Sequence, residues 1–347
     1  MTVKGLLRRF VYGAADRVGV NGLVAGLPWR RNRLLILCYH GFSMADEHLW
    51  RPSLYIQPDT FRRRVALLRA AGYRVLPLGR ALDLLETGDL PPRSVAITVD
   101  DGSKNFIEAG YPVIRGLQVP VTAYVSTYYV FDRRPVFDVC ASYLLWRGSQ
   151  AGARLVRQRW LLGPTDLGGG RQWAALYRQL YCYSRDEALG ADAKHEVLRD
   201  LAGEVGVDFD DLTHRELFHL MSPADLARLD PELVDLQLHT HRHTMPPEAT
   251  LVEREIRDNR AGLSSCGRRP EQLVHFCYPS GVYHRPQLAA LRDLGIKSAT
   301  TCVPGIASRS CDPLLLPRFI DSESVTEAAF LTWLSGLGAL LRPRRIP

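Results

Sequence analysis

The chain of 347 residues lacks the features of several large protein classes. It has no uninterrupted apolar stretch of the ~20 residues that a membrane-spanning helix needs. Its longest candidate, residues 328–341, is broken by threonine, serine and glycine. The amino terminus carries basic residues but neither a continuous apolar segment nor the small-residue cleavage site of a secretory signal. We therefore expect a cytoplasmic protein that does not cross a membrane.

Paired cysteines are also missing. The 7 cysteines are odd in number, and no two of them form a Cys-x-x-Cys pair. Both facts disfavour a disulfide framework and a cysteine-based zinc site. Reduced thiols are expected.

Positive charge is in excess and gathers at the two ends of the chain, whose net charge is +7. The clusters are Arg30, Arg31 and Arg33 near the start and Arg342, Arg344 and Arg345 near the finish. Each adjoins an apolar stretch, a combination typical of peripheral membrane contact. Residues 1–33 and 326–347 are accordingly predicted to be basic amphipathic segments that contact an anionic membrane surface, with an ordinary packed helix as the alternative. Nucleic acid is not an expected partner, since no basic and aromatic residues interleave.

The central part of the chain alternates short apolar runs with helical patterns, which indicates an α/β domain with a mostly parallel sheet. We assign this domain to residues 34–325. The predicted strands are residues 34–39, 73–76, 95–99, 121–125, 234–238, 274–277 and 296–301. Residues 131–229 change to mainly helical patterns and are interpreted as an insertion.

Two polar groups follow buried strands of this sheet. Asp100 and Asp101 directly follow the strand at 95–99. Two carboxylates so close together repel each other unless a cation or hydrogen bonds offset their charge, and a bound metal ion is the simplest such cation. His239 and His243 follow the strand at 234–238, four positions apart, so that on one helical turn they would face the same way. One carboxylate, two histidines and an open position form a hydrolytic metal site. His241 should point elsewhere.

These residues carry a family resemblance. Thr-Val-Asp-Asp-Gly at 98–102 resembles the Thr-Phe-Asp-Asp-Gly motif of the polysaccharide deacetylase family, which has the NodB homology domain and forms carbohydrate esterase family 4. His-Thr-His-Arg-His at 239–243 resembles its His-Ser/Thr-x-x-His motif. The resemblance implies a distorted (β/α) barrel of about seven strands.

The resemblance also implies roles for individual residues. Asp101, His239 and His243 would bind a divalent metal ion, with zinc expected. Asp100 would be the general base for water that attacks an N-acetyl carbonyl.

Two motifs depart from the family pattern. Cys277 stands where many members have the arginine that orients the base. Arg318 is a candidate replacement, and the backbone N–H of Ser280 can still donate to an oxyanion. The family's last motif, which ends in a catalytic histidine, is absent downstream of residue 284. The Tyr-His pair at 39–40 instead resembles the N-terminal strand that supplies this histidine in a circularly permuted branch of the family. The resemblance implies that His40 is the general acid.

The predicted function is removal of N-acetyl groups from an amino sugar of a polysaccharide or lipid-linked glycan, as in exopolysaccharide biosynthesis. Two alternatives stay open at this stage. One is hydrolysis of a small non-sugar amide at the same site, and the other is an inactive glycan-binding or assembly protein.

Overall fold

The computed structural model describes residues 12–13, 19–168 and 172–341. Residues 1–11, 14–18 and 342–347, with the cluster Arg342, Arg344 and Arg345, lie outside the described residues, as do residues 169–171.

The strands are short and, in the barrel, mostly buried on both faces, as expected for parallel strands covered by helices. They are β1 (Arg33–Tyr39), β2 (Gly41–Phe42), β3 (Tyr55–Ile56), β4 (Arg74–Val75), β5 (Ser94–Val99), β6 (Val121–Val125), β7 (Arg154–Leu155), β8 (Thr165–Asp166), β9 (Val234–Leu238), β10 (His275–Cys277), β11 (Ser298–Pro304), β12 (Ala307–Ser308) and β13 (Leu316–Ile320).

Seven parallel strands close into a barrel in the order β1, β5, β6, β9, β10, β11, β13. Closure depends on β1, which pairs with β5 (Leu37 opposite Ile97) and with β13 (Leu37 opposite Phe319). β4 adds to β5 at the edge, and β12 pairs antiparallel with β1. The predicted distorted (β/α) barrel of about seven strands is confirmed.

Helices connect and cover these strands. They are α1 (Val20–Gly26), α2 (Glu47–Trp50), α3 (Pro58–Ala70), α4 (Leu78–Thr87), α5 (Tyr111–Leu117), α6 (Tyr128–Phe131), α7 (Phe137–Ala151), α8 (Gln172–Asp186), α9 (Ala191–Val205), α10 (Phe209–His214), α11 (Pro223–Arg228), α12 (Ala249–Ser265), α13 (Gln287–Asp293), α14 (Glu327–Ser335) and α15 (Leu337–Leu340). A π-helical turn, Phe106–Gly110, leads into α5. Within the described residues, no helix combines the length and apolarity that crossing a bilayer requires.

The chain forms two compact units. The first contains the barrel, and the second comprises residues 103–105 and 129–222. In the second unit, α7 packs against α8 and α9 beside the antiparallel pair β7–β8. The predicted insertion at 131–229 overlaps this unit, although α11 belongs to the first unit.

Candidate active site

The turn after β5 brings two carboxylates to the carboxyl end of the barrel, where ligand sites of such sheets gather. Asp101 and Gly102 both have left-handed backbones, with φ of 77° and 81°. A Cβ on residue 102 would lie 2.7 Å from a methyl carbon of Val125, so only glycine fits. The sharp turn lets successive carboxylates enter different surroundings.

The three predicted metal ligands converge. Oδ1 of Asp101 lies 3.2 Å from Nε2 of His239 and 3.2 Å from Nε2 of His243. The two imidazole rings are 5.0 Å apart at an angle of 64°. One carboxylate oxygen and two ring nitrogens therefore face a common point.

The expected helical turn between the two histidines is wrong. Residues 239–248 form a loop, and α12 begins only at Ala249. Thr240 and His243 have φ of 60° and 54°, which folds the loop back, and the backbone N–H of Thr244 donates to Oγ1 of Thr240 over 3.1 Å. The spacing of four brings the rings together through this tight loop.

The environment of His239 is suited to a metal ligand. Its Nδ1 lies 2.8 Å from the backbone oxygen of Cys277, which can only accept, so Nδ1 carries the proton. In a neutral imidazole, Nε2 then carries a lone pair, and this lone pair faces the Asp101 carboxylate. Two acceptors at 3.2 Å repel each other, and either a proton on Nε2 or a metal ion between them removes that repulsion.

The ligand spacing also fits a metal ion. Metal–ligand distances of about 2.0–2.1 Å in a tetrahedron separate neighbouring ligand atoms by roughly 3.3 Å. The two measured separations of 3.2 Å match this edge. Two imidazole nitrogens and a carboxylate oxygen are a donor set that suits zinc.

Asp100 is buried beside this centre and is paired with Arg318. Both Nη atoms of Arg318 donate to the two carboxylate oxygens of Asp100 over 2.7 Å, and its Nε donates to the backbone oxygen of Thr301. Burial raises the pKa of Asp100, but the charge and hydrogen bonds of Arg318, with His40 and His239, outweigh it and lower the pKa to about 2. Arg318 thus pairs with Asp100, as predicted for the residue that replaces the arginine missing at position 277.

Two thiols complete the surroundings of Asp100. Sγ of Cys277 and Sγ of Cys38 lie 3.4 Å and 3.5 Å from its Oδ2. Burial raises the pKa of both thiols well above their usual range, so each stays protonated and donates. Cys38, His40 and Asp100 are close enough to share a cation, but Arg318 already occupies both Asp100 oxygens. The thiols are therefore neutral donors that help to hold the carboxylate.

His40 follows β1 and lies on the open side of Asp100, with 3.7 Å between Nε2 and Oδ2. The strand end is fixed by Tyr39, whose hydroxyl donates to Asp321 over 2.9 Å. Nε of Arg64 donates to the same carboxylate oxygen over 3.0 Å. Burial raises the pKa of Asp321 to about 6 against the opposing charge of Arg64. This buried cluster fixes the strand end that carries His40.

The other residues singled out in the sequence have separate surroundings. Ser280 follows β10 in a tight turn with φ of 54° and an exposed side chain. Among the described residues, its backbone N–H donates to no other backbone group. His241 points away from the metal ligands, as predicted, and its Nδ1 lies 2.9 Å from Oγ1 of Thr127.

The sequence analysis missed Asn259 on α12. Its Oδ1 accepts from the backbone N–H of His239 over 2.8 Å. Its Nδ2 donates to the backbone oxygen of Val125 and to Oγ1 of Thr127. It thus ties the end of β6 to the loop that carries two metal ligands. A polar residue in phase with the apolar stripe of a helix, here Val252, Ile256 and Leu263, is the signal that could have found it.

Comparison with known proteins adds relatives at low identity. No family model matches the chain. The poly-β-1,6-N-acetyl-D-glucosamine N-deacetylase of Escherichia coli strain K12 is 26% identical over 111 residues, which is 30% of this chain and only 16% of that protein.

Solved structures match over most of the chain. The deacetylase PplD of Streptococcus pyogenes has a TM-score of 0.56 at 17% identity, covering 86% of this chain and 97% of its own. IcaB of Ammonifex degensii has a TM-score of 0.53 at 17% identity, covering 88% and 97%. A polysaccharide deacetylase of Bacillus cereus has a TM-score of 0.53 at 15% identity, covering 87% and 69%.

These three matches cover 86–88% of this chain. They do not test the strand order of the family, so the circular permutation stays a prediction. The chain has the fold of these solved deacetylases, which confirms the predicted resemblance to the NodB-like family at the level of the fold.

Proposed function

We propose that the protein is a metal-dependent hydrolase that removes N-acetyl groups from an amino sugar of a polysaccharide. The carrying observation is that Asp101, His239 and His243 share one point, with a separately held carboxylate, Asp100, beside them. Relatives of the same fold include proteins named as polysaccharide deacetylases, which supports the substrate class.

Asp101, His239 and His243 would hold the metal ion. A divalent ion there supplies Lewis-acid activation of water and of the acetyl carbonyl. The proton on Nδ1 of His239 and its hydrogen bond to Cys277 keep Nε2 directed at the ion.

Asp100 would accept the proton of the attacking water. Arg318 fixes both of its oxygens and keeps it ionised at neutral pH, so it is ready to act as a base. Its burial excludes the bulk water that would otherwise compete for its lone pairs.

The remaining steps fall to two other residues. The backbone N–H of Ser280 would donate to the oxygen that becomes negative as water adds to the carbonyl. His40 would give a proton to the sugar nitrogen as the C–N bond breaks, which yields acetate and a free amine.

Asp100→Asn tests this division of labour, because the amide keeps the shape and cannot accept the proton. We expect turnover to fall by roughly 10²–10⁴-fold while metal content is unchanged. Acetate release from β-1,6-linked N-acetylglucosamine oligomers, with metal analysis of the same samples, measures both. Unchanged turnover would contradict the role of Asp100, and metal without acetate release in the wild type would point to another amide.

A further inference from the structure

Four leucines near the two chain ends are exposed. Leu23 on α1 is 73% exposed and Leu27 directly after it is 44% exposed. Leu340 and Leu341, at the end of α15, are 47% and 49% exposed. We call these four residues the terminal patch. Keeping four large apolar side chains in water is costly, and such surfaces mark interaction sites.

The two halves of the terminal patch belong to segments that pack on each other. α1 contacts both α14 and α15. Oγ of Ser335 donates to Oδ1 of Asn21 over 3.2 Å, and a Cβ on Gly336 would lie 2.8 Å from the ring of Trp29. Residues more than 300 positions apart in sequence thus form one region of the surface.

Among the described residues, positive charge exceeds negative charge in this region. Arg31 and Arg33 lie beside Trp29, Arg30 is buried against the backbone oxygen of Leu334, and Glu327 begins α14. Arg31 is exposed, and the guanidinium of Arg33 stacks 4.7 Å from the half-buried ring of Trp29. A tryptophan and arginines beside exposed leucines are the side chains that favour the interface between lipid headgroups and acyl chains.

We propose that the terminal patch docks the protein on an anionic lipid surface. Its leucines would enter the boundary between headgroups and acyl chains, while Arg31 and Arg33 would contact lipid phosphates. A second copy of this chain fits less well, because two copies of a surface on which positive charge exceeds negative charge repel each other.

The position of the patch sets the orientation of the docked protein. Arg33 begins β1, and the hydroxyl of Tyr73, just before β4, donates to the backbone oxygen of Leu334. The patch therefore adjoins the amino ends of the barrel strands, whereas the metal ligands follow their carboxyl ends. A strand of six residues spans roughly 20 Å, so docking directs the candidate active site away from the lipid.

Cosedimentation of the full chain with lipid vesicles tests the proposal without using activity, so an inactive enzyme does not affect the result. We expect binding to vesicles that contain phosphatidylserine, weaker binding to pure phosphatidylcholine, and release at high salt. Leu23→Gln combined with Leu340→Gln should weaken binding tenfold or more, and Arg31→Gln should weaken it by about fivefold.

Exposed residues elsewhere in the barrel unit provide matched controls. Leu251→Gln, at a position 45% exposed on α12, and Arg285→Gln should leave vesicle binding unchanged. Unfolding curves in urea verify that each variant is folded. Equal binding by the patch variants and the wild type, or no binding by the wild type, overturns the proposal. A dimer in solution that the patch variants dissociate, without vesicle binding, assigns the surface to a second copy and also overturns it.

Discussion

Asp100 is fully buried and ionised at neutral pH because a single guanidinium contacts both of its oxygens. An arginine can match a carboxylate with two parallel hydrogen bonds, whereas the cysteine at the family's usual position contributes one weak donor. The positive charge that holds Asp100 thus comes from Arg318 on β13, whereas the family resemblance places an arginine at Cys277 on β10.

Arg318→Gln should leave a buried carboxylate without its cation. We expect a loss of about 3–5 kcal/mol in the free energy of unfolding, together with a higher pKa of Asp100. The acid limb of the pH profile of kcat/KM should therefore move to higher pH. Arg318→Lys keeps the positive charge but cannot make two parallel hydrogen bonds to the carboxylate. It should give intermediate values for the free energy of unfolding and for the shift of the pH profile. Loss of stability with an unmoved pH profile would mean that Arg318 has only a structural role.

The lowered pKa of Asp100 also makes stability depend on pH. The folded state holds this pKa near 2, below the ordinary value of about 4. The ionised form is therefore favoured by folding, and its contribution is full above pH 4 and lost as the pH falls through 2. The size is about 2 kcal/mol.

Urea unfolding at pH 5 and pH 2.5, with a chelator present, measures this contribution. Asp100→Asn cannot titrate there, so its stability should fall less between the two pH values than that of the wild type. The same fall in both proteins would show that Asp100 is not the group concerned.

At the scale of the elements, the loop from 239 to 248 owes its shape to α12. Asn259 on α12 accepts a hydrogen bond from the backbone N–H of His239, directly after β9, and donates one to the backbone oxygen of Val125 at the end of β6. One helix thus positions the ends of two strands. Asn259→Leu should cost about 1–3 kcal/mol in the free energy of unfolding because it leaves a buried N–H and carbonyl unpaired. Metal affinity should fall roughly 10–100-fold.

Leu263→Ala is the matched control for this prediction, since Leu263 is buried on the same helix and contributes packing alone. It should lose stability by a similar or larger amount and keep the metal affinity of the wild type. Isothermal titration with Zn²⁺ separates the two variants. Equal metal affinity in both would contradict the positioning role of Asn259.

The same elements show what sequence patterns can and cannot predict. β5 and β9 are largely apolar strands, and the ligand residues follow their carboxyl ends, so both the strands and the metal triad were predictable. β13 was not predicted as a strand, because Pro317 interrupts its pattern, yet it closes the barrel and carries Arg318. The helical turn at 239–243 failed because spacing alone does not distinguish a helix from a loop with positive φ. The thiol contacts of Cys38 and Cys277 depend on strands that meet only in the closed barrel.

At the scale of the whole barrel, docking through the terminal patch would restrict the substrate. With the candidate active site on the opposite end of the strands, the docked protein should reach long glycan chains anchored in the same membrane and not a sugar next to the lipid. We expect acetate release from vesicles that display long N-acetylated chains and little release from those that display a single sugar. Equal release from both would contradict this orientation.

The central claim is that Asp101, His239 and His243 bind the metal ion on which hydrolysis depends. Its most direct test is the metal content of the purified wild type, His243→Ala and the control His241→Ala, measured together with acetate release from N-acetylated oligosaccharides. We predict near-stoichiometric metal and acetate release in the wild type and in His241→Ala, and neither in His243→Ala. Full metal content or undiminished acetate release in His243→Ala would contradict the claim.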